Sequence, residues 1–297
     1  MGRAEEMGAL LIAKQSTKPF IAKNRLSIAT LAYSFFVFIV ALMMLFPFLF
    51  MISASLKTTA QAFNEPLKHM IPEQIYWGNY RTLLTSPNYF RWIGNSLKVV
   101  ALSILLRGIV VTMAAYAFAR LNFKGRNVLL FISLSTLAIP PDTTIVARFL
   151  IYKYMHLINT HWVLIIPAVF DVFFLFLLRQ FFMGIPKELT EAAIIDGCSH
   201  YRVYFRIILP LAVPALMTMI VFSFVYIWND YASPFIFISS EKKQMVTVGL
   251  QYFSTQYGSN YSLQMAGASI VILLPVLLFV FAQKFFVEGI TSSGIKG

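Results

Sequence analysis

Residues 26–50 read LSIATLAYSFFVFIVALMMLFPFLF, an apolar run without a charged side chain. A helix needs about 20 mostly apolar residues to cross the hydrocarbon core of a bilayer, and this run meets that length. It outlasts the apolar core of a signal peptide and shows no small-residue cleavage pattern, so it reads as a retained first span over about 28–52. The residues ahead of it are polar and basic, with Lys14, Lys18, Lys23 and Arg25.

Working outward, the same reading predicts five more spans. They cover about 93–119, 127–147 (broken by Pro140-Pro141), 161–183, 207–232 and 263–286. Composition agrees: the 297 residues are 59% hydrophobic and 12% charged. A soluble domain is about 45–50% apolar and about 25% charged, so these apolar side chains must face lipid. The long runs lack the period-2 alternation of a strand barrel. The expected fold is an all-α integral membrane protein with six transmembrane helices. Its parts are an N-terminal segment 1–27, a membrane domain 28–286 with a long loop 184–209 between spans four and five, and a tail 287–297.

The net charge of +12 is scattered between apolar runs. It therefore orients a membrane protein and does not form a nucleic-acid stripe. With the N-terminus in the cytoplasm, fourteen Lys and Arg fall in the inside segments and eight in the outside ones. Both termini and the 184–209 loop are then cytoplasmic.

Ionisable residues at membrane depth are few. Lys98 and Asp230 lie near helix ends, where snorkelling accounts for them. Arg107 and Asp171 lie deeper, where a charge marks a functional site by default. Contact with cargo and pairing inside the bundle are both open for them, and pairing is preferred. None of the six expected spans contains Glu, which argues against a proton-coupled secondary transporter. No nucleotide-binding G-x-x-x-x-G-K-[ST] loop occurs, no H-E-x-x-H occurs, and the four His are scattered, so no cofactor or metal is expected on this chain. The lone Cys198 excludes an internal disulfide.

The 184–209 loop has its own logic. Pro186 opens a short helix where no amide donor is needed. Glu188 and Glu191 sit in its first turns, where the helix dipole favours anions. Ala192 and Ala193 make a smooth face, and Gly197 ends the helix in a left-handed conformation. A second amphipathic stretch leads to Pro210. These residues suit equally an interfacial connector on lipid headgroups and an element docked into a cleft of another protein.

The stretch Glu191-Ala192-Ala193-x-x-Asp196-Gly197, followed by Ile208-Leu209-Pro210, resembles the cytoplasmic EAA loop of ABC importer permeases. Cys198 stands where that family has a small residue. Asn95-Ser96, Trp228-Asn229-Asp230, Thr247-Val248-Gly249-Leu250, Pro275 and the tail 289–297 resemble the maltose-type carbohydrate class, and its smaller six-span permease in particular. The resemblance implies one half of a sugar or oligosaccharide path in a prokaryotic inner (plasma) membrane, with no enzyme activity of its own. Implied partners are a second homologous permease, two ATP-binding subunits that carry ATP and Mg, and an extracytoplasmic solute-binding protein. Glu188, Glu191, Ala192, Ala193, Asp196, Gly197 and Pro210 would couple to the ATPase. There Ala192, Ala193 and Gly197 would be fit residues that tolerate no larger side chain. Gly294, Lys296 and Gly297 would be a tail contact. Tyr116, Asp171, Phe174, Tyr226, Trp228 and Asn229 are candidates for the substrate path. A permease for a non-sugar solute and a secondary sugar transporter are the alternative readings.

Overall fold

The structure, a computed structural model, describes residues 28–64, 71–72, 74–256 and 260–293. Among them every regular element is helical. The segment 1–27 and the tail residues Gly294, Lys296 and Gly297 lie outside the described residues.

In chain order, α1 (Ile28–Ser55) precedes two short helices, α2 (Thr59–Asn64) and α3 (Gly78–Thr85), and then the longest helix, α4 (Pro87–Arg120). α5 (Arg126–Ser135) and α6 (Ile145–Tyr154) follow. The fourth apolar stretch is α7 (Trp162–Val169) and α8 (Val172–Gly184). The loop holds α9 (Lys187–Ile195), α10 (His200–Val203), a π turn at Tyr204–Ile208, and α11 (Leu209–Leu211). The remainder is α12 (Val213–Trp228), α13 (Ala232–Phe237), α14 (Val246–Gln256), α15 (Tyr261–Val271) and α16 (Leu273–Ser293). Residues 1–49 and 50–297 form two separate units. The described part of the first is the bulk of α1.

Among the described residues four helical stretches are long and apolar enough to span a bilayer, or up to six if each of two bent pairs is one span. The bends fall where the sequence places prolines. The expected span 127–147 turns by 93° between its two arms. Ile139 and Pro140 are extended there. Consecutive prolines remove two amide donors, and each pushes the preceding residue out of the helical region. The fifth stretch bends by 76° at Ala212. The backbone widens into a π turn just before Pro210, and α12 restarts with Pro214 in its first turn, where its missing N–H costs nothing.

α4 is the spine of the larger unit and packs on α7, α8, α12 and α14. Tyr89, Trp92, Val99 and Val100 join one buried cluster with α7, α12 and α14. Val111, Ala115 and Tyr116 join another with α8 and the loop.

Around the first cluster the motif residues meet. The Asn95 amide donates to the carbonyls of Lys242 and Gln244, at 3.0 and 2.9 Å. Ser96 Oγ accepts from the Val246 amide at 2.9 Å. The Trp92 indole donates to the Glu241 carbonyl at 2.8 Å, and the Thr247 hydroxyl donates to that of Asp230 at 2.7 Å. Gly249 lets α14 close on α4, because a Cβ there would lie 2.3 Å from the Trp92 ring. Gly249→Ala should therefore lower the unfolding temperature of the detergent-solubilised chain, as overpacking costs about 1–3 kcal/mol. Gly94→Ala, on α4 with no atom within 4 Å of its added Cβ, should not.

Candidate functional site

Two places in the larger unit combine exposed or charged chemistry with tight local geometry. One is the loop helix α9. It buries Thr190 and Ala193, one turn apart. Glu188, Glu191, Ala192 and Asp196 are exposed, and so are Leu189 and Ile195, the latter at 85%. The exit turn is a Schellman motif: the Cys198 amide donates to the Ala193 carbonyl and the Gly197 amide to that of Ile194, both at 2.9 Å. Gly197 has φ +79°, yet a Cβ there would have no atom of the described residues within 4 Å apart from its chain neighbours. The glycine answers to backbone twist and not to crowding within the chain. Ala193 is the tightly enclosed alanine, and Ala192 faces outward. Pro186 sits one position earlier than a first helical residue, as an extended N-cap.

The loop is fastened to α4 at three levels. The Arg120 guanidinium donates to the carbonyls of Phe182 and Ile185, at 2.7 and 2.5 Å. Those are the end of α8 and the residue just before Pro186. Tyr116 Oη lies 3.2 Å from His200 Nδ1, and its ring packs on Tyr204. The Thr112 and Tyr204 hydroxyls share a hydrogen bond of 2.6 Å. Tyr116 thus belongs with the loop. Pro210 follows the π turn and precedes the 76° bend.

The second place is the break between α7 and α8. α7 carries Pro167 and ends at Val169. Asp171 is extended and caps α8, its Oδ1 accepting from the amides of Phe173 and Phe174 at 3.0 and 3.3 Å. Arg107 reaches in from α4 and is only 3% exposed. Its Nε donates to the Ala168 carbonyl and its Nη1 to Ser223 Oγ, both at 2.7 Å. Nη1 also lies 3.5 Å from Asp171 Oδ2, and the guanidinium stands over the Phe174 ring at 5.4 Å. The pairing preferred from sequence is present.

Beside this arginine is a cavity of about 220 Å³ whose polar lining includes Arg107, Arg148, Asp171, Tyr226 and Asp230. Arg148 Nε is buried without a partner among the described residues. Of the candidate path residues, Asp171 and Tyr226 reach this cavity. Phe174 is buried under Arg107, and Trp228 is buried and stacked on Phe224. Asn229 is exposed.

A family model described as binding-protein-dependent transport system inner membrane component matches residues 104–292. The chain belongs to this family. It is 32% identical to the arabinooligosaccharides transport system permease protein AraQ of Halalkalibacterium halodurans, over 96% of this chain and 100% of that protein. It is 30% identical to the protein of that name from Bacillus subtilis, over 91% of this chain and 97% of that one. Its fold resembles a chain of a bacterial ABC transporter involved in the import of the acidic polysaccharide alginate. There the TM-score is 0.76 at 23% identity, covering 91% of this chain and 100% of the other. The chain is a multi-pass ABC permease subunit, a transport component rather than an enzyme.

Family members are subunits of larger machines, which makes the internal fastenings informative. Arg120, Ser223 and Arg148 were not singled out from sequence. Arg120 had a legible signal, a cation in the last turn of a long helix, where terminal carbonyls need donors. Ser223 had none, since a serine inside an apolar run gives no hint of its partner. Arg107→Met should destabilise the solubilised chain by about 1–3 kcal/mol, because the Ala168 carbonyl and the Ser223 hydroxyl lose their donor. Asp171→Asn should cost less, because asparagine still caps α8. In a double-mutant cycle on detergent unfolding the two changes should couple by about 0.5–3 kcal/mol.

Proposed function

We propose that this permease forms one half of a path for a sugar or oligosaccharide in an ATP-driven, binding-protein-dependent importer. In this reading it crosses the inner (plasma) membrane of a prokaryotic cell six times, with both termini in the cytoplasm. A second homologous permease completes the path, and an extracytoplasmic solute-binding protein delivers cargo. Two ATP-binding subunits hold ATP and Mg, and this chain binds neither. The 32%-identical relative named for arabinooligosaccharides supports the carbohydrate class.

The observation that carries the reading is the outer face of α9. Glu188, Glu191, Ala192 and Asp196 stand exposed beside Ile195 on a helix whose exit is fixed by two hydrogen bonds. An exposed apolar side chain rimmed by charge suits protein contact. α9 would dock on the ATPase, with Glu191 as its electrostatic contact. A push on α9 would pass through Arg120 and Tyr116 to α4, which also carries Arg107 at the cavity. Rigid-body rocking of packed helices is a common form of alternating access. Asp171 and Tyr226 would face the cargo. The tail residues Gly294, Lys296 and Gly297 would reach the ATPase interface.

Gly197→Asp should abolish ATP-driven uptake while leaving the membrane level of the chain near wild type, read by uptake of labelled oligosaccharide and by immunoblot. Normal uptake would remove the coupling role of the loop. Cys198 is partly exposed and is the only cysteine. In spheroplasts lacking the ATPase subunit, a membrane-permeant maleimide should label it and an impermeant one should not. Labelling by both would invert the proposed topology.

A further inference from the structure

Between α9 and the ends of α4 and α8 lies a second cavity, of about 290 Å³. Its charged lining is Arg120, Arg126, Arg179 and Lys187 against the single carboxylate of Glu191, which is exposed at the rim, and His200 also lines it. Its lining residues also hold three buried polar atoms that no group among the described residues satisfies: Arg120 Nε, Arg179 Nε and Thr190 Oγ1. Thr190 is only 6% exposed, so its hydroxyl has the cavity as its outlet. The remaining contacts of the two neighbouring arginines are accounted for. Arg120 donates through Nη2 to Phe182 and Ile185. Arg126 donates through Nη1 to the Leu121 carbonyl at 3.1 Å and to Asn122 Oδ1 at 3.4 Å.

Buried polar atoms in native proteins nearly always have partners, and like charges gathered in a half-enclosed space are costly unless an anion joins them. Three guanidinium forks and an ammonium outweigh one carboxylate by three charges. A phosphate group carries a single negative charge as a phospholipid diester and about −1.5 to −2 as a monoester or free phosphate; either offers several acceptor oxygens that guanidinium forks match geometrically. The cavity lies at the ends of two apolar stretches, Pro87–Arg120 and Trp162–Gly184, where a bilayer presents headgroups. Basic pockets between spans at that level suit anionic phospholipids.

We infer that this cavity is a phosphate-binding site, occupied by the headgroup of an anionic phospholipid that braces the loop helix against α4 and α8. Lys187, Thr190 and Glu191 belong to α9 itself, so an occupant would fix the stance of the helix that the proposed function assigns to docking. The inference rests on that reading only for its consequence in coupling. Binding is measured on the chain alone and can fail or hold independently of the Gly197 result.

The full chain is reconstituted in phosphatidylcholine nanodiscs with and without phosphatidylglycerol. Bound lipid is counted by native mass spectrometry after detergent exchange. The expected result is retention of phosphatidylglycerol by the wild type, weakened roughly tenfold by Arg179→Gln as one charge-assisted contact is lost. Arg179→Lys should recover only part of this, and Thr190→Val should weaken retention without altering charge. Arg81→Gln, outside the cavity lining, should leave it unchanged. A parallel arm titrates inorganic phosphate against the solubilised wild type and follows its unfolding temperature. Stabilisation lost in Arg179→Gln, without retained lipid, would keep the phosphate site but overturn the lipid as its occupant. Equal retention by wild type and Arg179→Gln, with no response to phosphate, would overturn the site.

Discussion

The described part of this fold answers to one constraint. Carbonyls freed at the end of a helix need a donor, and within or at the edge of an apolar span that donor comes from protein or from a wet cavity. The fourth apolar stretch ends twice, at Val169 and at Gly184, and each end exposes carbonyls that lack an intrahelical donor. Both are met from the same helix. Arg107 donates to Ala168 and Arg120 to Phe182. The two pairs are separated in sequence by 61 and 62 residues, so α4 runs parallel to α7 and α8 in a nearly constant register. A cation at a helix C-terminus is favoured by the dipole as well as by the hydrogen bond. The two arginines therefore set the depth at which α4 meets its neighbours.

That register explains why the two notable places of the permease are linked without touching. The cavity beside Arg107 and the loop beside Arg120 lie at different levels of one 34-residue helix. A helix rises 1.5 Å per residue, so the two arginines stand about 20 Å apart along it. Side chains of the buried clusters fill the space around it, and close-packed interiors transmit displacement rather than absorb it. The prolines have the opposite effect. The 93° and 76° bends remove straight rods from the third and fifth stretches, whereas α4 and the fourth stretch pack along each other without such a bend.

Much of this was legible in the sequence. The apolar runs fall on helices, Pro140-Pro141 breaks the third stretch, and Gly197 ends α9 in the left-handed conformation. Arg107 and Asp171 stood out because charges in apolar runs are conspicuous. What stayed hidden depends on register between helices distant in sequence. Nothing local tells that Tyr116 meets His200 or that Arg120 reaches Phe182. Gly249 could be read as part of a motif, but its reason, the face of Trp92 against the backbone, exists only after α14 folds onto α4. The angle of the Pro140-Pro141 bend was equally unreadable, because a proline pair specifies that a helix stops and not where the next one points.

The loop shows how local and distant constraints combine in a small element. α9 is nine residues long, and an isolated helix of that length is marginal in water. Its Schellman exit and the burial of Thr190 and Ala193 hold it from one side only. Arg120 fixes the chain just ahead of Pro186, and Tyr116 fixes His200 just beyond the exit turn. The helix is therefore clamped at both flanks to α4 while its outward face keeps its charges and Ile195 uncovered. A helix held this way resists tilting on its own. Force applied to its outer face would act on α4 as well, which suits the docking role proposed for this helix.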